Sequence, residues 1–172
     1  MSAAQLIRHP GEGERVWFAG GGVLTLKATA AQTGGSFFLL EDEMARGKTT
    51  PLHTHPADEA LYVLDGELLV HLDGEEHRVG TGGFALFPRD VPHAFLVTSE
   101  RARILAVAAP GDGWAFFEEL TEPATSEADA QRPADIPRLI ETARRSPHIE
   151  VLGPPPFEAV TAGAGAPAAS DA

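Results

Sequence analysis

The chain has 172 residues, of which 43% are hydrophobic and 22% charged, a length and balance that suit one globular domain with arms rather than two domains. It contains no cysteine, which excludes disulfides, thiolate metal ligands, iron–sulfur clusters and cysteine nucleophiles. The formal net charge of -12, with no local cluster of lysine and arginine to offset it, argues against a nucleic-acid partner.

No apolar run approaches the ~20 residues that span a bilayer, and the start, MSAAQLIRHPGEGERVW, lacks the basic head and apolar centre of a secretory signal. A cytoplasmic protein without a membrane partner is expected. From residue 16 to 109 short apolar runs alternate with turn signals. The runs at 23–29, 36–43, 59–65, 67–72, 75–79, 84–88, 93–97 and 103–109 each have strand length. Asp65-Gly66 and Asp73-Gly74 stand between such runs, and Asp-Gly favours tight hairpins because the central positions need positive φ. Eight or more strands predict an all-β fold, either a closed barrel or a double-sheet jelly roll.

After Pro110 the pattern changes. DGWAFFEELTEP predicts a short helix capped by Asp112, with Phe116 and Leu120 four apart on an apolar face. Residues 118–135 hold six acidic side chains against one arginine and read as a solvated linker. Asp135 is placed to cap a second helix with Ile136, Leu139, Ile140 and Ala143 on one side, Pro137 in its first turn and Pro147 past its end. This helix is expected to dock on the barrel or on a partner subunit. The organisation is then an N-terminal arm with the first strands at 1–34, a barrel core at 35–110, and a helical extension packed on it at 111–160. A tail at 161–172 lacks large apolar residues and is expected to be mobile.

Residues 53–59 read HTHPADE. If 50–55 are extended, period-2 alternation puts His53 and His55 on one face and Thr54 on the other. A turn through Pro56, Ala57 and Asp58 returns Glu59 to the same place, and His93, at the head of another strand, can supply a fourth donor. Three imidazoles and a carboxylate without thiolate suit Fe, Mn, Ni, Co, Cu or Zn, and leave positions for substrate and oxygen or water. The histidines at 9, 71, 77 and 148 read as ordinary packed or surface residues.

The chain here resembles the cupin family. Its first motif is matched at Gly47, His53, His55, Glu59 and Gly66, and its second at Gly82, Pro88 and His93, with Asp90 in place of a glycine and Val97 in place of an asparagine. The resemblance implies a cupin jelly-roll β-barrel with short C-terminal helices, and makes His53, His55, Glu59 and His93 ligands of one divalent transition metal ion. The two departures bear on turn geometry and pocket polarity.

Alternation extends this reading to the pocket. If Glu59 and His93 point inward, so do Leu61, Val63, Phe95 and Val97, which form the expected substrate wall, while Tyr62 faces away. Lys48 and Arg89 lie in loops near the strand ends and could meet an anionic substrate, though solvated loop charges are the commoner case. Glu59 is the candidate base. GDGWAFFEELTEPA and the closing GPPPF resemble small bacterial cupins grouped with quercetin 2,3-dioxygenase. Trp114, Phe116 and Phe117 read as a helix that covers the barrel end.

These features together predict a metal-dependent dioxygenase acting on a flavonol-like or enol-bearing aromatic or polyketide-like small molecule, with O2 as partner, in a homodimer. The alternatives are a non-oxidative isomerase, cyclase or decarboxylase, and a small-molecule-binding cupin without turnover.

Overall fold

Asp73 and Gly74 both hold positive φ, 49° and 87°, the backbone a two-residue turn needs to follow the twist of its strands. They join β6 (Glu67–Leu72) to β7 (Glu75–Gly80), with Leu72 opposite Glu75. Asp65-Gly66 behaves differently from its twin. It ends β5 (Asp58–Asp65), and β5 and β6 lie in different sheets, so this dipeptide carries the chain across the fold and closes no hairpin. Gly66 has φ 86°, and a Cβ there would collide with the Arg101 carbonyl oxygen.

The structure, a computed structural model, describes residues 6–158; the tail expected to be mobile at 161–172 lies outside them. Among the described residues one sheet runs β11 (Thr121–Pro123), β1 (Glu14–Phe18), β2 (Val23–Ala28), β3 (Phe38–Ala45), β10 (Arg101–Ala109), β5, β8 (Phe84–Phe87). The second runs β12 (Glu150–Gly153), β4 (Leu52–Thr54), β9 (His93–Val97), β6, β7. The sheets face each other without closing, so the double-sheet jelly roll is the architecture formed. Among the described residues no helix is long and apolar enough to cross a membrane.

Alternation turns one face of each strand to the interior. β3 contributes Phe38, Leu40, Asp42 and Met44, and β10 contributes Ala102, Ile104, Ala106 and Ala108. Leu61 and Val63 of β5 meet Leu68 and Val70 of β6 in the same core. Asp42 is the one charged member of these rows. In β9 all five residues are buried, because Phe157, 1% exposed, packs on Ala94 and Leu96 from outside.

Among the described residues two α-helices lie between β10 and β12, α1 (Trp114–Glu119) and α2 (Ile136–Arg145). Phe116 and Leu120 are buried. Asp112, expected as the α1 cap, sits instead in a 3₁₀ turn, and the N-cap is Gly113 without a side-chain bond. Asp135 does cap α2, accepting the Arg138 N–H at 3.1 Å, and its own N–H donates to the Ala19 carbonyl at 2.8 Å. Leu139 and Ala143 thereby pack against this chain's own core. Residues 118–135 are no free linker. Thr121–Pro123 adds to β1 as an edge strand, and the Arg132 guanidinium lies 3.6 Å from the centre of the Trp17 ring.

Candidate metal centre

β4 is only three residues long, and His53 is its inward member, 8% exposed. Directly opposite in the ladder stands His93, the first residue of β9, 2% exposed. Paired residues of antiparallel strands project to the same face, and the two rings stand 4.3 Å apart between centres. His55, one residue past β4, brings its ring to 4.7 Å from His93. All three offer a nitrogen within 4.8 Å of the others. From the facing sheet Glu59 places Oε2 at 2.9 Å from His55 Nε2 and 3.8 Å from His93 Nε2. Phe87 stacks on His93 at 4.4 Å with 8° between planes and fixes that ring. Asp90 holds the left-handed φ, 64°, that the glycine of the motif would supply, and its N–H donates to the His55 carbonyl at 2.9 Å.

The ring orientations are set by main-chain carbonyls. Nδ1 of His53, His55 and His93 faces the carbonyl oxygens of Pro51, Ala57 and Val91 at 2.8, 2.9 and 2.8 Å. A carbonyl only accepts, so this hydrogen bonding assigns the proton to each Nδ1 and leaves an Nε2 lone pair turned to the shared space. His93 Nε2 is buried there without a partner, and His55 Nε2 confronts a carboxylate. A proton relieves one of these contacts; a single cation satisfies all of them. The donor set therefore fits a divalent transition metal ion.

Electrostatics keep the His53 ring neutral and the Glu59 carboxyl charged. Burial, helped by the neighbouring His93, holds His53 down at about 4. For His55 burial opposes protonation, but the hydrogen bond and charge of Glu59 outweigh it and its pKa rises. Burial likewise pushes Glu59 up, and the hydrogen bond of His55 together with the nearby His55 and His93 rings outweighs it, so this carboxyl lies below its ordinary range.

Residues 40–108, which carry all of these side chains, match the model of the cupin domain family. Over these residues the jelly roll is similar to a cupin domain. Quercetin 2,3-dioxygenase of Bacillus subtilis (strain 168) is 36% identical over 107 residues, 62% of this chain. The chain spans about a third, 32%, of that relative. Among solved structures, an RmlC-like cupin from Shewanella frigidimarina NCIMB 400 superposes with a TM-score of 0.56 at 17% identity, over 65% of this chain and 96% of its own. The polyketide cyclase RemF from Streptomyces resistomycificus gives 0.55 at 22% identity, over 79% and 99%. At these identities the likeness concerns the fold.

The jelly roll holds a cavity of about 120 Å³ with His53, His55, Glu59 and His93 on its wall. Phe95, one of the four expected wall residues, lines it. Leu61, Val63 and Val97 point inward but are not on the cavity wall; they are packed in the core at 1%, 0% and 1% exposure. Alternation fixes the face of a strand residue and not its depth, and each inward step along β5 or β9 carries the side chain about 7 Å farther along the strand. The remaining apolar wall comes from strands outside both motifs, through Phe38, Leu40 and Ile104, and from Phe116 and Phe117 of α1 and Leu139 of α2. Trp114 packs on Phe38 and Phe117, so α1 both covers the end of the fold and reaches the cavity. Tyr62 is 44% exposed on the outer face. Arg89 pairs with Asp58 at 2.6 Å near the surface. Lys48 is no solvated loop charge. Its Nζ lies 2.5 Å from Asp42 Oδ2, and both side chains, 7% and 8% exposed, line the cavity. Burial pushes the Asp42 carboxyl above its ordinary value against the pull of Lys48.

Proposed function

We propose that this cupin is a metal-dependent dioxygenase acting on a flavonol-like or otherwise enol-bearing aromatic small molecule. His53, His55, Glu59 and His93 are the ligands of one divalent ion, from among Fe, Mn, Ni, Co, Cu and Zn. The observation that carries the reading is the convergence of three Nε2 lone pairs and one carboxylate on the wall of an apolar cavity. A bound metal supplies a Lewis acid that lowers the pKa of substrate oxygens and a place for oxygen chemistry.

The chain's own part is positional and acid–base. Glu59, kept ionised at neutral pH by His55 and His93, serves by turns as ligand and as the base that takes the enol proton. Phe87 and Phe95 present ring faces and edges to an aromatic substrate, while α1 and α2 keep water from the cavity with Phe116, Phe117 and Leu139. The 36% identity to a quercetin 2,3-dioxygenase supports the reaction class across the shared third of that protein. A second reading, a non-oxidative isomerase, cyclase or decarboxylase, draws on Asp42, a further buried acid on the same wall. A binding cupin without turnover is the third.

Metal analysis of the protein as purified and after reloading with each ion, followed by oxygen uptake with quercetin, separates them. Stoichiometric metal with uptake supports the dioxygenase. Metal without uptake moves the assignment to the non-oxidative enzyme, and no metal under any condition leaves the binding cupin. We place the protein in the cytoplasm as a homodimer, the latter because Tyr62, Phe84 and Leu86 stand 44%, 61% and 49% exposed together on the outer face of β5 and β8.

A further inference from the structure

The cavity has a second polar centre that the metal site does not use. Position 42 lies between Leu40 and Met44 in the inward row of β3, with Leu24 and Ile104 across the ladders on either side. Every neighbour in that row is apolar, yet the residue is an aspartate. Lys48 enters the same space from the loop ahead of β4, with Nζ 5.7 and 5.9 Å from the ring centres of Phe18 and Phe95. Above the pair runs the turn Gly20-Gly21-Gly22, where a Cβ on Gly22 would stand 2.5 Å from Asp42 Oδ1 and 3.1 Å from Lys48 Nζ. A side chain at position 22 and the charged pair exclude each other.

As a device for stability the pair is poor. Withdrawing two charges from water offsets most of their attraction, and apolar residues of similar volume serve as well or better. The hydrogen bonding is also incomplete. Lys48 has three N–H donors, and among the described residues its one hydrogen-bond partner is Asp42 Oδ2; Asp42 Oδ1 is buried without any. Charge then selects the ligand. Asp42 already neutralises Lys48, Glu59 lies on the same wall, and the chain carries -12 overall, so a carboxylate or phosphate meets net repulsion. A neutral hydroxyl accepts from Lys48 and donates to the Asp42 carboxylate at once. The rings of Phe18 and Phe95 beside the ammonium favour an aromatic carrier for that hydroxyl.

We propose that the Asp42–Lys48 pair is a recognition site for a phenolic hydroxyl of the substrate, distinct from the enol oxygen presented to the histidine cluster. The inference rests on the flavonol-like reading and adds which substituent the cavity selects.

The test compares quercetin with 3-hydroxyflavone, which keeps the chelating hydroxyl-ketone edge and lacks the other hydroxyls. Dissociation constants are read from tryptophan quenching on the full chain as purified, under nitrogen. The wild type is expected to bind quercetin about tenfold or more tightly than 3-hydroxyflavone, the effect of one charge-assisted hydrogen bond. In the double variant Asp42→Leu, Lys48→Met the ratio should fall to about one, while an apolar pair lets the core fold; Lys48→Gln carries the same comparison should the double variant fail to fold. A preference that survives the substitution, a wild type without preference, or one that binds neither compound overturns the proposal. Oxygen uptake is read separately. Preference lost in the variant with no uptake by the wild type keeps the hydroxyl site and removes the dioxygenase, and uptake with an unaltered preference does the reverse.

Discussion

Acidifying the metal-free protein is expected to remove a definable part of its stability through His53. The ring is 8% exposed, and burial with the neighbouring His93 holds its pKa at about 4 against an ordinary 6.5. The unfolded chain takes this proton near 6.5, and the folded chain refuses it until about 4. Between these values the unfolded state binds more protons, so the contribution is complete above 6.5 and is lost as the pH falls toward 4. At about 1.4 kcal/mol per pH unit, the loss near pH 4.5 comes to about 2–3 kcal/mol. Other carboxyls titrate in the same range, so the quantity to measure is the difference between wild type and His53→Gln. Urea melts with chelator present, near pH 7.5 and pH 4.5, should show the wild type losing about 2–3 kcal/mol more than the variant across that interval. Curves that stay parallel within about 0.5 kcal/mol would refute burial of a neutral imidazole as the cause.

Glu59→Gln keeps the size of the side chain and removes its charge; oxygen uptake with quercetin is expected to fall by roughly 10²–10⁴-fold, while elemental analysis still finds metal on the three histidines. Uptake at the wild-type rate would take the role of base away from Glu59. Asp135→Ala deletes the α2 cap and should lower stability by about 1 kcal/mol, with hydrogen exchange quickening in 136–145 ahead of the strands; unaltered exchange there would mean the Ala19 contact alone holds the helix. Phe84→Asp puts a charge in the exposed apolar group of β5 and β8, and sedimentation is expected to find a dimer for the wild type and a monomer for the variant. A dimer that persists places the interface on another face.

The cluster was readable because its donors lie close along the chain or at strand heads: His53 and His55 share a phase, and the turn through Pro56 returns Glu59. The fold class followed from the regular spacing of runs and Asp-Gly turns. Pairing between distant segments was not readable. Nothing local in 118–135 announces that Thr121–Pro123 will extend β1, and the acidic count pointed to water instead. Depth was equally hidden, which is why Leu61, Val63 and Val97 were read as cavity wall and only Phe95 reaches it. Lys48 looked like a loop charge because its partner, Asp42, sits between two glutamates in LEDEM and passes for the polar end of a strand. The signal was available: counting by two from Phe38 puts Asp42 indoors.

β4 has β9 on one side and β12 on the other, with Val151 opposite His53. The strand that bears the first histidine is therefore finished by the last strand of the described chain. On the ribosome, positions 53, 55, 59 and 93 emerge well before residue 150, and until β12 docks β4 keeps a bare edge of unpaired amides and carbonyls. Assembly of the histidine cluster is thus tied to synthesis of residues 150–153, and a chain that stops ahead of Glu150 carries every donor yet lacks the strand that pairs with β4 on that side.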